Sequence, residues 1–127
     1  MSKTNYLEDA LLNHVLRNVP YTPAATIYLG LYTVAPGEPG GGTEVTGGSY
    51  TRQPVTFSAP AGGSVSNTTD VIFPMATAGW GTVVAFALHD APTGGNMLYF
   101  ANMTASRDIL PNDQLRFPAG QLLVQED

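Results

Sequence analysis

After Pro23 the chain breaks into short runs of alternating polarity, each closed by Gly, Pro or Asn, and this texture leaves few folds open. Ile27, Leu29 and Leu31 alternate with Tyr28, Gly30 and Tyr32, the pattern of a strand covered on both faces. Gln53, Val55 and Phe57 alternate with Arg52, Pro54 and Thr56. Because Pro54 brings no ladder donor, that strand belongs at an edge. Residues 64–66 and 71–73 read as brief strands around a turn at 67–70. Residues 82–89 set Thr82, Val84, Phe86 and Leu88 against Val83, Ala85 and Ala87, which predicts a buried central strand. The run Asp90-Ala91-Pro92-Thr93-Gly94-Gly95-Asn96 then turns the chain into residues 97–101, the strongest hairpin signal in the sequence. Residues 114–117 and 121–125 read as a last pair around Pro118-Ala119-Gly120.

About seven or eight short strands with regular turns predict a mainly β fold, an antiparallel β-sandwich of Ig-like or jelly-roll-like kind. A length of 127 residues suits one such domain. The only helical period lies at 5–18, where Leu7, Leu11 and Val15 stand four apart and Leu12 and Leu16 broaden the stripe. Asn5 is a candidate N-cap with Glu8 three residues on, and Pro20 is the expected stop. Residues 1–20 therefore read as an N-terminal helix or arm that either caps the sandwich or reaches a neighbour. Residues 21–127 read as the sandwich domain. Its segment 34–49, dense in Gly and Pro, looks like a long flexible loop too poor in apolar residues to join the core. Loops of that length are often functional.

Charged residues make up 12% of the chain, about half the usual share of about 25%. A surface so poor in charge suits a protein whose working state is an assembly. Ten acidic residues face five basic ones, and Lys3, Arg17, Arg52, Arg107 and Arg116 are scattered singly. No basic stripe is there to neutralise phosphates or to meet an anionic bilayer, so neither nucleic acid nor membrane is an expected partner. The absence of cysteine removes disulfides, thiolate metal sites and thiol nucleophiles. The opening residues 1–5 carry no apolar run of the signal-peptide kind, which reads as a protein made in the cytoplasm.

Chemistry is hard to place. His14 lies off the apolar stripe, and His89 precedes Asp90 at a strand end, where neighbours point to opposite faces; both read as surface or turn histidines. No His, Asp and Glu cluster has metal-ligand spacing, and no Gly-x-Ser-x-Gly elbow is present. Gly40-Gly41-Gly42 lacks the lysine and following helix of a phosphate loop. Asn67-Thr68-Thr69 and Asn102-Met103-Thr104 match the glycosylation sequon but read as turn or strand residues. Trp80, Tyr99 and Phe100 read as core and rim aromatics rather than a sugar platform. The expectation is a non-enzymatic protein with no catalytic residue, no cofactor and no metal.

A resemblance runs through nearly the whole chain. Its stretches are Leu11-Leu12-Asn13-His14-Val15-Leu16-Arg17, Ile27-Tyr28-Leu29-Gly30-Leu31-Tyr32-Thr33, Ala35-Pro36-Gly37, Gly41-Gly42-Thr43-Glu44-Val45 and residues 49–57. Trp80-Gly81-Thr82-Val83-Val84 is the most specific, followed by Gly94-Gly95-Asn96-Met97-Leu98-Tyr99. In these the sequence resembles a family of small bacteriophage virion proteins usually described as tail fibre proteins. The resemblance implies a virion component, assembled in the host cytoplasm, whose partners are other virion proteins and further copies of itself. Because the chain is compact, without repeats or coiled coil, the expected role is a capsid decoration (cement) protein on the major capsid protein. The alternative is a tail fibre component in host attachment. The candidate interface is the helix and the glycine-rich loop, through Tyr6, Leu7, Leu11, Leu12, Val15, Leu16, Pro36, Glu38, Pro39 and Val45.

Overall fold

A computed structural model describes residues 1–126. In chain order the elements are β1 (Ser2–Lys3), α1 (Asn5–Leu16), β2 (Ile27–Val34), β3 (Thr43–Glu44), β4 (Gln53–Val55), β5 (Ser64–Ser66), β6 (Val71–Ile72), β7 (Gly81–His89), β8 (Met97–Ile109), β9 (Arg116–Phe117) and β10 (Leu123–Gln125). One larger antiparallel sheet runs β1-β8-β7-β2, with β3 and β4 both pairing the far side of β2. Two smaller antiparallel pairs, β5 with β10 and β6 with β9, supply the second layer. The core lies between the layers. Leu29, Leu31, Val83 and Leu88 from the larger sheet meet Val71, Phe73, Leu115, Leu122 and Val124 from the other side. The expected mainly β, antiparallel sandwich with one helix is what the chain forms.

The alternation in β2 and β7 decides which residues face that core. Leu29 pairs with Leu88 and Leu31 with Phe86 on the inner face, while Gly30 pairs with Ala87 and Tyr32 with Ala85 on the outer one. The small residues Gly30, Ala85 and Ala87 let other groups approach the outer face closely. The β7–β8 hairpin forms as its turn chemistry predicts. Gly94 and Gly95 both take positive φ, and the Asp90 carboxylate accepts from the Asn96 backbone N–H at 2.7 Å and from its side-chain amide at 3.0 Å. Pro54 sits on β4, which pairs only with β2, so its missing N–H costs no ladder bond.

Several local expectations are corrected. The N-cap is Thr4, one residue before Asn5: its hydroxyl accepts from the Leu7 N–H and donates to the Met97 carbonyl at 2.6 Å. The helix ends at Leu16, before Pro20 can act, because Asn18 takes a left-handed φ of 57° and Arg17 and Val19 N–H both return to the Asn13 carbonyl. Strand β8 runs on to Ile109 instead of stopping at 101. Segments 64–66 and 71–73 do not pair with each other, nor do 114–117 and 121–125. Each pairs across to the other set, about fifty residues away. Segment 34–49 is not a free loop. Its β3 pairs with β2, Val45 is buried in the core, and the Trp80 indole N–H donates to the Gly48 carbonyl at 2.9 Å. A Cβ at Gly48 would sit 2.7 Å from that indole nitrogen, so the loop needs glycine there to lie against Trp80.

Candidate interaction face

The outer face of the larger sheet carries the helix, the 34–42 loop and the β7–β8 turn, and a network of buried and partly buried polar groups ties β2 and β3 to that turn. The Arg52 guanidinium, its side chain 8% exposed, donates to both Glu44 oxygens at 2.8 and 2.9 Å. Its remaining nitrogen donates to the Ala91 and Gly94 carbonyls, both at 2.9 Å, so one side chain couples β3 to the hairpin loop. Tyr50 donates its hydroxyl to Glu44 at 2.7 Å and accepts from the Leu31 N–H at 2.9 Å. Its ring stacks on Phe73 and meets Trp80 edge-on, so it links this network to the core. Beside it, the Tyr32 hydroxyl lies 3.0 Å from His89 Nε2. All of this closes over Gly30, where a Cβ would fall 2.9 Å from Glu44 and 3.2 Å from both His89 and Tyr50. Among the described residues no buried side-chain nitrogen or oxygen lacks a partner.

Burial alone pushes the Glu44 carboxyl up, but the hydrogen bonds from Arg52 and Tyr50 and the nearby positive charge outweigh it, and the net shift is downward. Burial first, then the Glu44 charge, pushes the Tyr32 phenol up to about 12. Burial first, then the Arg52 charge, pushes the His89 imidazole down to about 4, against the smaller pull of Glu44 and Asp90. His89 is thus a buried neutral histidine, 3% exposed, and not the surface or turn residue expected.

A pH dependence follows with a definite sign. The unfolded chain takes up a proton on His89 near pH 6.5, whereas the folded chain refuses it until about 4. Stability present above pH 6.5 is therefore lost as the pH falls to about 4, with no further loss from this group below that. The loss is at most about 3.5 kcal/mol, since displacing a pKa by one pH unit is worth about 1.4 kcal/mol. Melting temperature measured against pH should fall through this window, and His89→Gln should flatten the curve. An equal slope in the variant would remove His89 as the cause.

The expected interface residues divide sharply. Leu12, Val15 and Leu16 are 56%, 71% and 74% exposed on the outward side of α1. Leu7 is turned inward and buried, and Leu11 is half-buried. Val45 and Pro36 are buried as well, so with Leu7 they present no surface to a partner. Tyr6, Glu38 and Pro39, by contrast, come together. They line one groove of about 370 Å³ whose other walls include Tyr32, His89 and Gly94. The Asn5 N–H donates to the Glu38 carbonyl at 2.8 Å, which pins the helix to the loop. The same end of the helix is held again just before it, since β1 pairs with β8 and Lys3 bridges Glu126 at 2.6 Å. What sequence reasoning missed is the group Tyr32, Glu44, Tyr50 and Arg52. Its members lie in a strand, a glycine-rich loop and an edge segment, and no spacing in the sequence marks their convergence.

No curated protein matches the chain. A family model described as podophage GP4 fiber I protein gp80 does match, over residues 2–125. That span leaves out only one residue at the start and two at the end, and it takes in α1, every strand and the polar network alike. The chain belongs to this family of phage fibre proteins, and is a virion structural protein by that membership.

Proposed function

We propose that the chain is a non-enzymatic building block of the phage fibre, assembled in the host cytoplasm, that works by holding the outward side of α1 against other virion proteins. The observation that carries this is the row Leu12, Val15 and Leu16, left exposed on a helix whose N-terminal end is tied to the sheet and the 34–42 loop. Fully burying such a side chain is favourable by about 1.5–3 kcal/mol, so a row of three on one side of the helix is a ready contact. The two charges under the outer face, Arg52 and Glu44, are spent on one another. That also supports a structural part over a catalytic one. Of the two roles expected from the sequence, the fibre is the one that the family description favours. Head decoration through the major capsid protein rests on one observation, that the chain is a compact sandwich of 127 residues.

The test uses phage particles carrying Leu12→Lys with Leu16→Lys. Incorporation into particles is expected to drop at least tenfold, while circular dichroism and melting of the purified variant stay close to the parent. Substitution is the right probe, because deleting the N-terminal segment would also strip β1 from the sheet. Full incorporation of the double variant would sink the reading. Cryo-electron microscopy of the same particles separates the two roles, since density on the head lattice in place of the fibre would transfer the chain to decoration.

A further inference from the structure

The pairing of β7 with β8 is irregular near its middle. Between Val83↔Arg107 and Ala85↔Asn102 the ladder advances two residues on β7 but five on β8, so the β8 segment around 103–106 swings out of register. Between this segment and β9 lies a groove of about 450 Å³. Half-buried Phe86, Met103 and Phe117 form its apolar floor, with Phe86 and Phe117 edge to face at 5.5 Å. Exposed Arg107 and Arg116 stand on its rim. Two of the five basic residues of a chain with net charge -5 thus share one groove. Arg116 has only a 3.5 Å contact with Asp70, and Arg107 meets no carboxylate within 4.0 Å among the described residues.

The outward side of α1 is the complement of this groove. Glu8, Leu12 and Leu16 follow one another at four-residue spacing, with Val15 and Asp9 alongside. The row is about 12 Å long, acidic at its start and apolar at its end. Neither Glu8 nor Asp9 forms an ion pair among the described residues. The helix is anchored at the Met97–Leu98 end of β8, whereas the groove lies beside residues 102–107, and no residue belongs to both.

We infer that the outward side of α1 docks into the β8–β9 groove of a second copy of this chain, with Leu12, Val15 and Leu16 on the phenylalanine floor and Glu8 and Asp9 against Arg107 and Arg116. The inference rests on the proposed role of the helix and names its partner. Such a contact is head to tail, since each copy offers one helix and one groove. It therefore propagates along a row of copies or closes into a ring. Apolar burial holds the contact and the charge pairs fix its direction.

The experiment is sedimentation of the purified full chain at rising concentration, up to about 1 mM, which reaches weak contacts. The parent is expected to gain mass with concentration. Leu12→Lys with Leu16→Lys disables the helix, and Arg107→Glu with Arg116→Glu disables the groove, so each variant alone should remain a monomer. Mixed in equal amounts they retain one intact helix and one intact groove between them, and should form a 1:1 dimer and nothing larger. Combining the arginine pair with Glu8→Arg and Asp9→Arg in one chain reverses both sides and should restore association. That provides an independent check if the lysine variant folds poorly. A parent that stays monomeric, or a mixture that does not pair, overturns self-docking. Loss of the lysine variant from particles despite a monomeric parent would leave the helix contact standing and reject only this partner.

Discussion

Arg52→Met lowers the free energy of unfolding by about 2–4 kcal/mol at neutral pH, somewhat less than the ~3–5 kcal/mol of a fully buried ion pair because the Glu44 side chain is still 23% exposed. Arg52 makes two bonds to Glu44 and two to carbonyls of the β7–β8 loop, and its own side chain is almost wholly shielded. Methionine keeps much of the stem packing and removes all four donors, which leaves the Glu44 carboxylate with the Tyr50 hydroxyl alone. Urea denaturation of the parent, Arg52→Met, Glu44→Gln and the double variant closes a thermodynamic cycle. The double variant, with no orphan charge, is expected to recover a good part of the loss. A double variant no more stable than Arg52→Met would show that the arginine acts through the loop carbonyls and not through Glu44. The single variant should also loosen residues 91–94, seen as faster amide exchange in the hairpin loop.

Why the sequence displayed some of this and hid the rest comes down to range. β2, β7 and the hairpin after Asp90 were legible because each is written locally, in a two-residue alternation or in Gly94-Gly95 turn chemistry. The N-cap was not. Thr4 and Asn5 can both cap a helix, and the choice falls to Thr4 through its second bond, to Met97 some ninety residues away. The apolar stripe of α1 was visible, but not the side of it that is buried. With five aliphatic residues in three turns, the sheet takes Leu7 and leaves Leu12, Val15 and Leu16 outside. Segment 34–49 looked like loop by composition. Only the return of β3 onto β2 brings Glu44 within reach of Tyr50 and Arg52, and composition cannot show a return. The same holds for β5 and β6, which look like a hairpin around residues 67–70 and instead pair with the end of the chain.

That last pairing turns on a single amide. Between β5–β10 and β6–β9 the ladder breaks, and Asn67, 2% exposed, fills the break. Its side-chain oxygen accepts from the Leu122 N–H at 2.9 Å, and its nitrogen donates to the Thr69 and Pro118 carbonyls at 2.8 and 3.1 Å. Its backbone adds bonds to the Leu122 carbonyl and from the Gly120 N–H. Asn67→Ala keeps those backbone bonds but strands the Leu122 N–H and two carbonyls. One unsatisfied buried group costs about 1–3 kcal/mol, so the expected loss is about 3–5 kcal/mol after partial rescue by water. Asn67→Asp keeps the acceptor and the shape but removes both donors and sets a carboxylate against two carbonyls, so it should be no milder at neutral pH and should recover as the acid is protonated. Amide exchange distinguishes a local role from a diffuse one. In Asn67→Ala the amides of Gly120, Leu122 and Val124 should exchange faster while those of β7 follow global stability. A loss below about 1 kcal/mol, or uniform exchange across both layers, would mean that the second layer is held by its apolar face alone and that the amide is incidental. The expected result instead makes Asn67 the clasp that fastens the C-terminal segment across the core, which keeps the Phe117 floor of the β8–β9 groove in place.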